Sequence, residues 1–162
     1  MSVKITFVGG TREVGRASVL VRGEEKSVLL DYGVALDHEP GFPMHVRPRD
    51  IDAITLTHAH LDHSGAVPTF FVSRFIPVYA TPVTFEIARI LIEDFLGLSG
   101  HCLPYEYIDL ESMMTYGKRM PYATSQRIGD VTLRLLNAGH IPGSAQALLD
   151  MEGRRILYTG DF

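Results

Sequence analysis

The sequence has no tryptophan and a single cysteine, Cys102. One thiol excludes an intrachain disulfide framework and suits a reducing compartment. No stretch approaches the roughly 18 consecutive apolar residues that a membrane-spanning helix needs. The N-terminus lacks the basic-then-apolar order of a secretory leader. An excess of positive charge is also missing: 15 Lys and Arg stand against 19 Asp and Glu, a net charge of −4 with neutral histidines. That disfavours a protein that grips nucleic acid or a membrane through its overall charge, while leaving room for a local basic patch. Repeats, linker-like stretches and low-complexity tracts are absent. What remains is ordinary for a globular fold: 162 residues, 46% hydrophobic and 21% charged, enough for one domain or part of a larger one. The expectation is a cytoplasmic protein with no membrane contact.

The hydrophobic pattern divides the chain into strands, helices and strands again. Val3 to Val8 alternates apolar and polar residues until Gly9-Gly10 breaks the run. Ala17 to Arg22 and Ser27 to Asp31 read as strands joined by a turn at Gly23 to Lys26, and Tyr32 to Asp50 reads as a loop. Ile51 to Thr57 reads as a buried strand. Asp62 is placed to cap a short helix reaching about Ser73, with Pro68 limiting its regularity. Pro77 to Tyr79 is a short strand. Thr81-Pro82 then opens a helix whose apolar positions, Phe85, Ala88, Ile92 and Phe95, keep helical spacing until Gly97. A further short helix is expected over Asp109 to Tyr116. Beyond Gln126 the pattern returns to strands at Val131 to Leu136, Ala145 to Met151 and Arg155 to Thr159. Such an order implies an α/β protein with helices outside packed sheets.

Directly after the buried strand comes Thr57-His58-Ala59-His60-Leu61-Asp62-His63-Ser64-Gly65, with three imidazoles and one carboxylate inside six residues. Imidazole nitrogen and carboxylate oxygen suit zinc, iron or manganese rather than soft-metal centres. His58 and His60 are two apart, so an extended backbone points both to one side, and a following helix turn can aim Asp62 and His63 at a neighbouring point. One loop could therefore serve two metals. Two further candidate ligands sit at strand ends beside glycines, His140 in Gly139-His140-Ile141-Pro142-Gly143 and Asp161 in Thr159-Gly160-Asp161. His101 beside Cys102 has no second pair and is set aside, as are His38 and His45 in the long loop. Arg12, Arg16, Arg47 and Arg49 lie in loops assigned to the metal end, where they could touch phosphates. No basic groove or row of stacking aromatics can be picked out from the sequence.

The pattern H-x-H-x-D-H, then a Gly-His, then a Gly-Asp after a strand, resembles the metallo-β-lactamase superfamily, and the resemblance spans Phe7 to Phe162. Phe7-Val8-Gly9-Gly10-Thr11-Arg12-Glu13-Val14-Gly15-Arg16-Ala17-Ser18 resembles the glycine-rich opening of its β-CASP nucleases. That branch includes the endonuclease subunit of the cleavage and polyadenylation specificity factor, its archaeal relatives and ribonuclease J. Ser64-Gly65 and Ile141-Pro142-Gly143-Ser144-Ala145 fit the same branch. The resemblance implies the αβ/βα sandwich of the metallo-β-lactamase fold, present as its N-terminal portion over 1–162. The chain would stop just before the β-CASP insertion, without that domain or the C-terminal lactamase segment.

The resemblance also implies a chemistry. Two Zn²⁺ ions would share the site, with His58, His60 and His140 on one, Asp62 and His63 on the other, and Asp161 bridging. An activated hydroxide would then hydrolyse an RNA phosphodiester in mRNA processing or decay. Asp62 would orient the attacking group, and Asp31 would support the metal loop from behind. Two other readings stay open: a hydrolase of a small ester, thioester or β-lactam on the same fold, or a non-catalytic metal-binding subunit. Apolar surface meant for absent segments would favour self-association, so a homo-oligomer is a further expectation.

Overall fold

A computed structural model of the chain describes residues 2–36 and 40–162; His38 lies outside the described residues. Two sheets and a helical layer are stacked over two buried clusters. The first sheet begins with the antiparallel strands β1 (Lys4–Gly9), β2 (Ser18–Arg22) and β3 (Ser27–Leu30). The loop after β3 contains a small hairpin of two-residue strands, β4 (Ala35–Leu36) and β5 (Pro40–Gly41). The strands β6 (Ala53–Thr55), β7 (Val78–Ala80) and β8 (Gly117–Arg119) then continue the first sheet in parallel, giving the order β1-β2-β3-β6-β7-β8. The second sheet is an antiparallel meander of β9 (Ser125–Ile128), β10 (Val131–Asn137), β11 (Ala145–Met151) and β12 (Arg154–Tyr158). The helices are α1 (Leu61–Ser64), α2 (Pro82–Ser99) and α3 (Tyr107–Tyr116).

Strand alternation decides which cluster each side chain joins, since successive residues face opposite sides of a sheet. In β2 and β3, Leu20 and Leu29 turn to the helices, while Val19, Val21, Val28 and Leu30 turn to the second sheet. The helix-side cluster includes Phe85, Ala88, Ile92 and Phe95 of α2, the same apolar row that the sequence shows at helical spacing. The cluster between the sheets takes Val131, Leu133 and Leu135 from β10 and Ala145, Ala147 and Leu149 from β11. On the other face of this second sheet, Arg134, Asp150 and Leu157 meet solvent. With both faces covered, β3, β6 and β7 read as continuous apolar runs, as buried parallel strands do.

Several local features depart from the sequence reading. The helix expected to be capped by Asp62 begins two residues earlier. His60 takes the N-cap position, and after a single turn the chain passes into a 3₁₀ stretch, Val67–Val72. Pro68 explains the change, because it has no N–H for a helical bond to the preceding turn. By contrast, α2 runs through Gly97 to Ser99: a Cβ at Gly97 would meet nothing within 4 Å, and an open glycine costs a helix only about 1 kcal/mol. The third helix starts at Tyr107, where Glu106 and Asp109 form a reciprocal cap. Within the residues read as loop or unassigned, β4, β5 and β8 are strands too short to show periodicity.

Candidate metal centre

The C-terminal ends of β3 and β6 lie side by side because the two strands pair in parallel. Asp31 follows β3 with a left-handed backbone, φ 56°, and is fully buried. Thr57 follows β6, and its N–H and hydroxyl both donate to the Asp31 carboxylate at 2.7 Å. The two strand ends are thereby clamped together. Gly33 lets the chain pass against the next loop: a Cβ there would stand 1.7 Å from the Asp62 carbonyl oxygen. The Tyr32 N–H donates to the His63 carbonyl and the Val34 N–H to the Leu61 carbonyl, so α1 is held on this strap.

The second sheet reaches the same place from the other side. Its β10 and β12 both end here, delivering His140 and Asp161. The Ala145 N–H donates to the Thr57 carbonyl at 2.7 Å. Gly160, with φ 56°, packs so closely on Thr57 that a Cβ would sit 2.8 Å from its hydroxyl oxygen. The His140 loop is tied by Ser144, whose hydroxyl accepts from the N–H groups of His140 and Ile141 at 3.1 and 3.2 Å.

The histidine tautomers follow from these bonds. The Thr57 hydroxyl gives its proton to Asp31, so it accepts from His58 Nδ1 at 3.1 Å. His63 Nδ1 donates to Asp31 at 2.7 Å. Both rings therefore turn Nε2 away from their supports, free to bind a metal once it carries no proton, the arrangement in which outer partners prepare metal ligands. His58 Nε2 lies 3.2 Å from His60 Nδ1, and His140 Nε2 lies 3.3 Å from the same atom. Tetrahedral zinc with Zn–N bonds of about 2.0–2.1 Å sets neighbouring nitrogens about 3.3–3.4 Å apart. One proton on His60 Nδ1 could serve only one of these two contacts, whereas a shared cation serves all three rings. His58, His60 and His140 form one group able to hold a metal ion, and His58, His63 and Asp161 form another. Asp161 spans the two, 3.4 Å from His63 Nε2 and 3.8 Å from His140 Nε2, and Asp62 stands 3.8 Å from His63 Nε2.

The electrostatics match a cation site. Burial, reinforced by the neighbouring imidazole of His63, pushes His58 down to about 4 and keeps the ring neutral. Burial also opposes charge on His63, yet the Asp31 carboxylate, helped by Asp62 and Asp161, lifts it to about 8. In the absence of metal a proton on His63 answers the carboxylates. A cleft of about 340 Å³ opens beside this ring, walled by Glu13 and Gly15 of the glycine-rich loop, by Asp62 and Asp161, and by Tyr158. Burial, and then the Asp31 carboxylate, push the Tyr158 hydroxyl well above its ordinary value, so it stays a proton donor.

All six side chains read from the sequence as ligands thus converge at one end of the molecule, with Asp31 behind them. Of the arginines expected beside them, Arg47 and Arg49 do not join them. Arg16 is near the site, where it pairs with Glu13 and donates to the Phe42 carbonyl. Arg47 and Arg49 precede β6 and lie at its opposite end, because the metal loop leaves that strand from its C-terminus. Thr57, Ser144 and Tyr158 had no role assigned from the sequence. A hydroxyl residue directly before the first histidine was the one available signal.

The matching family model is that of the metallo-beta-lactamase superfamily, over residues 11–162, and the chain belongs to this family. RNase aCSPSF2 of Saccharolobus solfataricus is 37% identical over 99% of the chain and 33% of that protein. Ribonuclease TTHA0252 of Thermus thermophilus is 37% identical over 98% of the chain and 38% of that protein. The chain therefore spans about a third of the length of these relatives. A solved metallo-beta-lactamase with a HARLDQ motif from Cronobacter sakazakii superposes with a TM-score of 0.63 at 21% identity, covering 95% of the chain and 58% of that structure. This likeness shows the fold. Among the described residues no helix is long and apolar enough to cross a membrane.

Proposed function

We propose that the chain carries the dinuclear zinc centre of a β-CASP-type ribonuclease that hydrolyses RNA phosphodiester bonds in mRNA processing or decay. The observation that carries this reading is the convergence of the rings of His58, His60 and His140 at tetrahedral spacing, with Asp161 reaching from His140 to His63. The ribonuclease names of the relatives supply the substrate class. Their greater length supports reading 1–162 as the N-terminal part of the lactamase domain. In this assignment His58, His60 and His140 would hold one ion, Asp62 and His63 would hold the other, and Asp161 would serve both. A donor set of imidazole and carboxylate fits zinc. Zinc bound there supplies Lewis-acid polarisation of a phosphoryl oxygen and brings the pKa of water to about 7.

The protein's own groups complete the site. Asp31 holds the Nδ1 proton of His63 and, through Thr57, that of His58, fixing which nitrogen each ring presents. The Asp62 carboxylate, open to the cleft, would orient the attacking water. Tyr158 and the glycine-rich loop shape the wall against which the scissile phosphate lies. The same reading places the protein in the cytoplasm and includes self-association through exposed apolar side chains such as Phe7 and Met44.

The test uses the zinc-loaded protein in its longest natural form and a 5′-labelled single-stranded RNA. His60→Ala is expected to lower cleavage at least about a hundredfold while leaving the circular dichroism unchanged, as loss of a metal ligand does. Full cleavage by His60→Ala, or turnover of thioesters and β-lactams with none of RNA, would overturn the reading.

A further inference from the structure

The three parallel strands β6, β7 and β8 send their C-terminal ends toward the metal loop. Their N-terminal ends face the other way, and what precedes each strand is unusual. Before β6 come Arg47, Pro48, Arg49 and Asp50; before β7 come Ser73, Arg74 and Phe75; before β8 comes Tyr116. Arg74 donates to the Pro48 carbonyl at 2.9 Å, which joins the first two segments. Arg47, Arg49 and Arg74, with Pro48 and Ser73, line an open cleft of about 450 Å³. Among the described residues one carboxylate, Asp50, answers them, paired with Arg47 at 2.7 Å and 4.0 Å from Arg49. Its acidity is raised first by the Arg47 hydrogen bond, then by the fields of Arg47, Arg22 and Arg49. A chain with a net charge of −4 thus concentrates cations here.

Aromatic groups share this end. Phe75, 56% exposed, and Tyr116, 39% exposed, stack face to face with ring centroids 4.6 Å apart and planes 1° from parallel. Tyr116 also lies 6.3 Å from the buried Phe71, so the stack is anchored in the core. A second hollow of about 190 Å³ shares Pro48 and Ser73 with the arginine cleft and is edged by His45 and Phe70. Guanidinium groups that track phosphates, next to rings that offer a free face, are the two components of single-strand recognition.

We propose that this end of the molecule is a docking surface for single-stranded RNA, separate from the metal cleft. Arg47, Arg49 and Arg74 take the phosphates, and Phe75, backed by Tyr116, takes a base. From Asp50 to Thr57 the chain spans seven residues, or roughly 20 Å at strand rise, so one RNA of moderate length touches both ends. The choice of RNA as the polyanion rests on the ribonuclease reading. The cleft and the stack do not.

The experiment is fluorescence anisotropy of a labelled 12-nucleotide oligouridylate on the zinc-loaded chain, with the integrity of the oligomer checked on a gel. Arg47→Gln/Arg49→Gln/Arg74→Gln is expected to bind about tenfold more weakly, with the slope of log affinity against log salt flattened by about 2 for three lost phosphate contacts. Arg49→Glu, at a side chain 74% exposed, reverses charge without touching the fold and weakens binding in the same direction. Phe75→Ala is expected to weaken binding about fivefold or more with the salt slope unchanged. His60→Ala keeps docking intact, so failure of the catalytic reading shows only in the cleavage assay. Wild-type affinity and salt slope in the triple variant would overturn the proposal. Equal competition by polyglutamate of matching charge would also overturn it, by assigning the patch to acidic proteins.

Discussion

Asp31 links the strand ends to the histidines. A left-handed conformation is tolerated by aspartate better than by most residues, and here it lets one carboxylate accept from Thr57 twice and from His63 once. This has a consequence for the chain stripped of metal. His63 has a folded value of about 8 against an ordinary 6.5. Its contribution to stability is present below the ordinary value and is lost as pH rises through the folded one, a change of about 2 kcal/mol. His58 acts in the opposite direction, with a folded value of about 4 against 6.5. It binds a proton more readily when unfolded, so stability falls as pH drops through that window. Urea midpoints of the metal-free chain should therefore peak near the ordinary histidine value and decline on both sides, and Asp31→Asn should shrink the alkaline decline. A midpoint that does not change across the alkaline window would contradict the His63–Asp31 pair. The six candidate ligands were legible because metal chemistry admits few residue types. Thr57 was not, because a threonine at a strand end has many possible roles.

At the scale of elements, α2 is more than cover for the sheet. Thr81 caps it, accepting from the Thr84 N–H at 3.2 Å, and the Thr84 hydroxyl donates to the Gly143 carbonyl at 2.9 Å, with Thr81 Oγ1 2.8 Å from the same oxygen. The helix start thus grips the loop that carries His140. Thr81→Ala should cost about 1 kcal/mol through the lost cap, lowering the melting temperature by roughly 2–4 °C. It should also weaken zinc binding several-fold in a competitive titration. A lower melting temperature with unchanged zinc affinity would show that helix and loop are not coupled. The helix itself was legible from Thr81-Pro82 and the Phe85 to Phe95 row, since both signals are local. The strand β8 was not. Its Gly-Lys-Arg sequence leaves Lys118 and Arg119 exposed, and only pairing with β7 makes it a strand.

At the scale of the whole molecule, strand direction sorts the chemistry. The candidate ligands gather where β6, β10 and β12 end, with Asp31 at the end of β3 behind them, the usual place for sites in α/β sheets. Arginines and stacked rings gather where β6, β7 and β8 begin. The sequence put Arg47 and Arg49 at the metal end because they stand close to the histidines in the chain. A buried strand between them reverses that proximity in space. The fold class was legible because strand and helix periods alternate cleanly, whereas the pairing of distant segments into one arginine cleft depends on tertiary contacts.

The proposed centre for two metal ions draws six side chains from one loop and two strand ends. The most direct test is elemental analysis of zinc per folded chain after purification without chelator, alongside His140→Ala and Asp62→Ala. About two equivalents are expected in the wild-type chain and fewer in each variant. Zinc content that stays below one equivalent in the wild type, or does not change in both variants, would contradict the two-metal centre.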